Sequence, residues 1–392
     1  MIKIVKEFMM LLKEWSKMKK LNINQLIFYL SYSLFLFCYT FNNVTFLQRY
    51  ISYIDLFSLF LLFISILLKS KTYERKAFIT IVLIGGILLI SSFFSKDLML
   101  VRIFLFIVAM KEMNFKKVIR YDFYIRIIFT IIVLLLYKLG LTNTLEFYRD
   151  GVIRNTLGFI HPNTFSVMVY TIVMEYIFIY VSKFKLRTFL LLLLAFIFID
   201  KVSDSRTGEL SLIVFMIMVL LDNVSTKTKK VAFKITKYVP LIMILISFIM
   251  IYLYKNNVVQ IQKLNLILSG RIHYGQAFLD TYGIKLFGQE VKMFELIYSS
   301  INNLSSWVLD NSYLLLLIRY GLLCTIIFYK AIVDSIKVIK NEYSNSYLIY
   351  IVLTYLIMGA FETSLIKLQY NPFILILGYI IYSNRVGDLY EK

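Results

Sequence analysis

The chain is a succession of apolar runs, most of them near the ~20 residues an α-helix needs to cross a bilayer's hydrocarbon core. The runs fall at 24–41, 52–68, 77–94, 97–110, 122–139, 157–181, 187–200, 207–222, 236–254, 312–335, 346–361 and 369–383, which predicts about twelve transmembrane helices. The fourth and seventh are short enough to be tilted, broken or re-entrant. Apolar runs of this length span as helices, because membrane barrel strands need only ~10 residues. The expected fold is therefore all-α, a polytopic integral membrane protein with one membrane domain over residues 1–392.

One long segment breaks the pattern. Residues 255–310 are too polar to lie in the membrane and read as one large extracytoplasmic loop. Inside it, Leu268-Ser269-Gly270-Arg271-Ile272-His273-Tyr274 opens a predicted helix over 270–282. Ser269 is its expected N-cap, and Gly283 suits the position just past its end. Ile272, Leu279 and Tyr282 share one face, which would lie on the membrane surface. Arg271 falls in the first turn, where free backbone N–H groups and the helix dipole favour an anion. A cation there asks for an anion to join it.

Composition agrees with the pattern. The 392 residues are 60% hydrophobic with a mean hydropathy of +0.76, which leaves no room for a soluble domain beyond the loop. A net charge of +20 would suggest nucleic acid in a soluble protein. Here the ordinary reading is cytoplasmic loop lysines, and no nucleic-acid partner is expected. Cys38 and Cys324 both lie in apolar runs and imply neither a disulfide nor a metal site. Residues 1–20 alternate lysines with Ile4, Phe8, Leu12 and Trp15, as an amphipathic helix on an anionic inner leaflet would. No small-residue cleavage site follows the first run, so no removable signal peptide is expected.

Charge also sets an orientation. With the N-terminus inside, the inner segments carry 27 Lys and Arg and the outer ones 13, so the positive-inside rule predicts both termini in the cytoplasm. Arg102 and Arg126, within spans, are expected to snorkel towards the cytoplasmic ends as structural residues. Arg319, about two turns into the tenth span, is a buried cation in need of a partner.

Four polar motifs gather on the expected outer face. Arg154-Asn155-Thr156-Leu157-Gly158-Phe159-Ile160-His161-Pro162-Asn163 leads into the sixth span, where Pro162 either breaks the helix or begins it. Asp204-Ser205-Arg206-Thr207-Gly208 joins two spans so tightly that Arg206 must lie at or below the surface, paired with Asp204, with Glu209 or with a ligand. Arg271 is the third. Asp310-Asn311-Ser312-Tyr313 closes the large loop, with Asp310 the expected N-cap of the tenth span. Several arginines converging with few acids to neutralise them suggest an anionic ligand, since Arg grips phosphate with two parallel hydrogen bonds and keeps its proton. A diphosphate between Arg206 and Arg271 would have its growing charge stabilised as it leaves. The first outer loop, 42–50, has no Asp or Glu and no Asp-x-Asp occurs, so no metal or other cofactor is expected. The base that takes a proton from an incoming hydroxyl would be His161, Asp310 or Glu209.

These motifs, in this order, resemble a Wzy-type polysaccharide repeat-unit polymerase over roughly 150–325, most of all the capsule and exopolysaccharide polymerases of Gram-positive bacteria. The related O-antigen ligases carry their motifs in a similar order. The resemblance implies a metal-independent membrane glycosyltransferase of GT-C-like fold that polymerises undecaprenyl-diphosphate-linked oligosaccharides on the outer face of the plasma membrane. It implies membrane lipid as surroundings, and flippase and chain-length regulator proteins as partners. It assigns Arg206 and Arg271 to the diphosphate. Arg154, Asn163 and Arg319 are further candidates for substrate binding. Ligases have a His-Asn pair at the end of the large loop, as the base. This chain has Asp310-Asn311 there, which favours polymerase over ligase and leaves the base between Asp310 and His161. A ligase, or a flippase for lipid-linked oligosaccharides, is the alternative reading.

Overall fold

A computed structural model of the chain describes residues 22–143, 147–149, 152–225, 227–293 and 308–382. The amphipathic stretch expected over 1–20, part of the large loop (294–307) and the C-terminal residues 383–392 lie outside the described residues.

The architecture is a bundle of helices. In chain order these are α1 (Ile23–Thr40), α2 (Gln48–Leu68), α3 (Arg75–Ser95), α4 (Met99–Ala109), α5 (Phe115–Lys138), α6 (Pro162–Tyr180), α7 (Leu186–Ser203) and α8 (Arg206–Val224). There follow α9 (Lys227–Thr236), α10 (Val239–Lys255), α11 (Val259–Ile267), α12 (Arg271–Tyr282), α13 (Ser312–Leu315), α14 (Leu322–Glu342), α15 (Leu348–Met358) and α16 (Gly378–Tyr382). The exception to helix is a small antiparallel hairpin, Phe147–Arg149 against Val152–Arg154, leading into α6.

Among the described residues, five helices are long and apolar enough to cross a membrane: α1, α2, α3, α6 and α8. The pair α9–α10, bent by 62°, would make a sixth if it is one broken span. The hydrophobic windows of α2 and α3 are each only 22% buried inside the protein, so most of their apolar surface faces outward. Such a surface needs lipid, not water. The core lies between α1, α4, α5, α6, α14 and α15, and includes Phe28, Tyr32, Phe106, Phe115, Met174 and Leu356.

Several expected runs are interrupted. The tenth begins as the single turn α13, widens into a π turn over Leu316–Tyr320, and restarts at α14 after Gly321, whose φ is 92°. That left-handed backbone lets the loop segment 285–289 pack against the break. Leu322 N–H donates to the Lys285 carbonyl (3.1 Å), and Gln289 N–H to that of Arg319 (3.0 Å). A Cβ at Gly288 or Gly321 would overlap the opposing backbone. The eleventh run forms only the 11 residues of α15. The twelfth is a 3₁₀ stretch at Pro372–Leu377 followed by α16, since Pro372 cannot donate into a preceding helix.

Hydrogen bonds sort the connections into two sets. Residues 69–72 and 109–111 meet through the Lys69 Nζ donations to the Ala109 and Lys111 carbonyls (3.0 and 2.8 Å). On the same side Tyr382 Oη donates to the Val108 carbonyl (2.8 Å). The other set joins 43 to 143 and 158–159, 154 to 203, 206 to 267, and 271 to 362. This second set holds the four polar motifs.

The two span arginines do not snorkel. Arg126 is 2% exposed and forks onto Asp122 (3.0 and 2.7 Å), one helical turn away, with Nη1 donating to the Gln369 carbonyl (2.6 Å). Carboxylates within reach make a stretch to the headgroups unnecessary. Arg102 lies in the first turn of α4, the end opposite to the one expected, and forks onto Asp55 (2.8 and 2.7 Å).

Candidate functional site

The first motif is built to present Asn163. Gly158 takes a φ of 89° and turns the chain, and Asn43 Nδ2 donates to the carbonyls of Gly158 (3.2 Å) and Phe159 (3.1 Å). Phe159 is buried as an anchor. His161 caps α6, its Nδ1 accepting from the Asn163 N–H (3.0 Å), and Pro162 takes the first helical position, where no N–H is needed. Pro162 thus begins the span and does not break it. Buried Arg154 donates from Nε to the Ser203 carbonyl (3.0 Å) and from Nη2 to Asn163 Oδ1 (2.6 Å).

The second motif is a two-residue link. Asp204, at φ 43°, ends α7, and Ser205 precedes α8. Gly208 lets α8 close on α6, since a Cβ there would collide with Ser166. Arg206 opens α8 exposed, with Nη1 donating to the Ile267 carbonyl (2.9 Å), the last residue of α11. Thr207, next to it, is buried and faces Arg271.

The third motif forms the expected helix, α12, with Arg271 as its first residue and Gly283 just past its end. The expected cap is corrected. Ser269 (φ 55°) and Gly270 (φ 81°) make a left-handed turn, and Asn265 Oδ1 accepts from the N–H groups of Ile272 (3.1 Å) and His273 (3.0 Å). Asn265 does from α11 what a local Ser would do. The buried face of α12 is Ile272, Gly275 and Phe278.

The fourth motif is corrected by one residue. The N-cap of α13 is Asn311, whose Oδ1 accepts from the N–H groups of Tyr313 and Leu314 (both 3.0 Å). Asp310 is left to face Arg271. Asn311 Nδ2 donates to Ser247 Oγ (2.9 Å) in α10, Ser312 N–H to the Gly359 carbonyl (2.7 Å), and Tyr313 Oη to the Leu356 carbonyl (2.6 Å). Ser312 Oγ donates to the Glu362 carbonyl. The motif therefore fastens the turn 356–362 in place.

That turn brings in a residue the motifs did not reveal. Arg271 Nη2 donates to Glu362 Oε1 (2.7 Å) and lies 3.5 Å from Asp310 Oδ2, while Nη1 donates to Thr207 Oγ1 (3.1 Å). Asn163 Nδ2 also donates to Glu362 Oε1 (3.1 Å). Arg154, Asn163, Glu362, Arg271, Thr207 and Asp310 are one connected group from all four motifs. The side chains of Arg271, Asp310 and Glu362 are 19, 33 and 11% exposed, so the group is sunken but open. Burial pushes the Glu362 carboxyl above its ordinary range and Asp310 adds to this, against the opposing pull of Arg271.

No family model, no curated protein and no solved structure matches the chain. The geometry alone carries the site.

Of the residues chosen from sequence, Arg154, Asn163, Arg271 and Asp310 belong to this group. Arg206 stands beside it through Thr207, and His161 through Asn163. Arg319 does not join it. Its guanidinium pairs with Asp97 Oδ2 (3.0 Å), on the link between α3 and α4. The sequence signal for Glu362 was present: a carboxylate ending an apolar run.

Proposed function

We propose that this protein is a membrane glycosyltransferase that polymerises undecaprenyl-diphosphate-linked oligosaccharide units, with Arg271 as the principal seat of the donor diphosphate. The observation that supports this reading is the Arg271 fork. It is sunken but partly exposed, and already holds two carboxylates where a diphosphate's oxygens would sit. Arg154 lies one side chain away through Asn163, while Arg206, next to Thr207 in the chain, donates to the Ile267 carbonyl. A guanidinium in a partly dry site stabilises the charge growing on a leaving phosphate far better than one in water. In this reading the acceptor's hydroxyl attacks the donor sugar's anomeric carbon, and undecaprenyl diphosphate departs with the bonding electrons. The orientation with this end outside follows from the charge count.

The test is polymerisation by the purified protein in liposomes, supplied with lipid-linked units extracted from the producing cells. The wild type should build a ladder of products. Arg271→Lys keeps a charge but loses the fork, and should lower the rate by ~100-fold or more. Arg206→Lys, at an exposed position, should have the smaller effect. A wild type that makes no polymer, or an Arg271→Lys variant at full rate, would sink this reading.

A further inference from the structure

We infer that Glu362 is the group that takes the acceptor hydroxyl's proton. The inference rests on the glycosyltransferase reading above and replaces both bases suggested by the sequence. His161 is committed to capping α6 through Nδ1 and touches the site only by way of Asn163. Asp310 is one-third exposed and 3.5 Å from Arg271. Glu362 is the most enclosed carboxylate of the group, held in one pose by Arg271 and Asn163 on Oε1. Its side chain keeps 11% exposure, so it is enclosed without being sealed.

The charged and titratable groups facing it are Arg271 from α12, Asp310 from the approach to α13, and Lys367 from the following loop. Thr207 of α8 hydrogen-bonds it, and Asn163 connects it to Arg154. This arrangement couples donor binding to basicity. In the empty site Arg271 neutralises Glu362. A diphosphate seated on Arg271 engages that cation, and Glu362 is left as a buried carboxylate with a rising affinity for a proton. The step balances. The hydroxyl oxygen bonds to the anomeric carbon, the bond from that carbon to the diphosphate oxygen breaks, the electron pair leaves with the diphosphate, and the proton goes to Glu362.

The experiment compares wild type, Glu362→Gln, Glu362→Ala and Asp310→Asn as intact proteins in liposomes. It measures polymerisation rate, binding of undecaprenyl diphosphate itself, and monodispersity in detergent. Glu362→Gln keeps the Asn163 contact, and Asp310 still faces Arg271, so it should fold. It should bind undecaprenyl diphosphate as the wild type does and polymerise ~100-fold or more slowly. Added formate should restore part of the rate to Glu362→Ala, since it supplies a carboxylate to the vacated space. The wild-type rate should fall on the acid side as Glu362 gains a proton, at a pH above the ordinary glutamate range. Asp310→Asn removes the negative charge that raises Glu362, so this acid limb should move to lower pH. Full rate in Glu362→Gln overturns the inference and leaves the glycosyltransferase reading standing. Loss of lipid-diphosphate binding with no formate rescue makes Glu362 a positioning residue and also overturns it. A wild type without activity overturns the reading of function, and the inference falls with it.

Discussion

Arg126 and Arg271 each face two carboxylates, in surroundings that share little else. Arg126 lies in α5 between Asp122 and Glu175, whose side chains are both 0% exposed. Arg271 lies at the start of α12 between Asp310 and Glu362, with side chains 33 and 11% exposed. The first group is sealed by helices and by the Gln369 carbonyl, and nothing from outside can reach it. The second is assembled from loops and helix ends and stays partly exposed. A buried ion pair contributes little net stability, yet removing one partner leaves an uncompensated charge in the core. A sunken but open group pays less of that penalty and can exchange an internal anion for an external one. The difference assigns Arg126 to folding and Arg271 to binding.

The comparison breaks most visibly if each arginine is replaced by leucine. Arg126→Leu leaves two carboxylates without a cation in the core and should cost about 3–5 kcal/mol. Little monodisperse protein should be recovered from membranes. Arg271→Leu should be recovered near the wild-type amount and be inactive. Equal loss of protein in both variants, read by size-exclusion profile and melting in detergent, would erase the distinction.

Asp310→Asn sharpens it with a smaller effect. Because Asn311, not Asp310, caps α13, the substitution should leave melting unchanged, and any fall in polymerisation then reports on the site alone. If the melting temperature drops as it does for a lost cap, which costs ~1 kcal/mol, Asp310 is holding the segment and not facing a ligand.

Hydropathy located helical segments, because the apolar content a span needs is written locally, but of the twelve expected spans five helices among the described residues, or six with the bent pair, are long and apolar enough to cross. It also located Arg271 in a first turn and identified its want of an anion. The anion itself was harder. Glu362 is 91 positions away, after α15, and only the packing of α13 against the 356–362 turn brings it in. Arg319 posed the same problem, and its partner Asp97 lies on a link between two earlier helices. The breaks were readable in hindsight. Gly321 falls within the tenth run and Pro372 within the twelfth, and both end helical hydrogen bonding by known means. The two caps were missed because Asn265, four residues before Ser269, and Asn311, one after Asp310, accept the free N–H groups instead. A cap is chosen by where the chain turns, which local sequence alone does not determine.

The smallest effect comes from making the same conservative change in the third fork of the molecule. Arg102 grips Asp55 through two hydrogen bonds, as Arg271 grips its partners, and it too lies near a helix start. Its side chain and that of Asp55 are 15 and 26% exposed, and its neighbours are Tyr39 and Phe35, with no connection by hydrogen bonds to Glu362 or Asn163 among the described residues. Lysine in its place keeps the charge and one contact to Asp55. The cost should be at most about 1 kcal/mol, typical of a pair that water still reaches. Melting should fall by a few degrees at most, and polymerisation should be unchanged. The same substitution at Arg271 is expected to slow the reaction ~100-fold or more. If Arg102→Lys instead stops polymerisation while the protein stays folded, fork geometry matters beyond the Arg271 group, and the Asp55–Arg102 pair must be counted as part of the site.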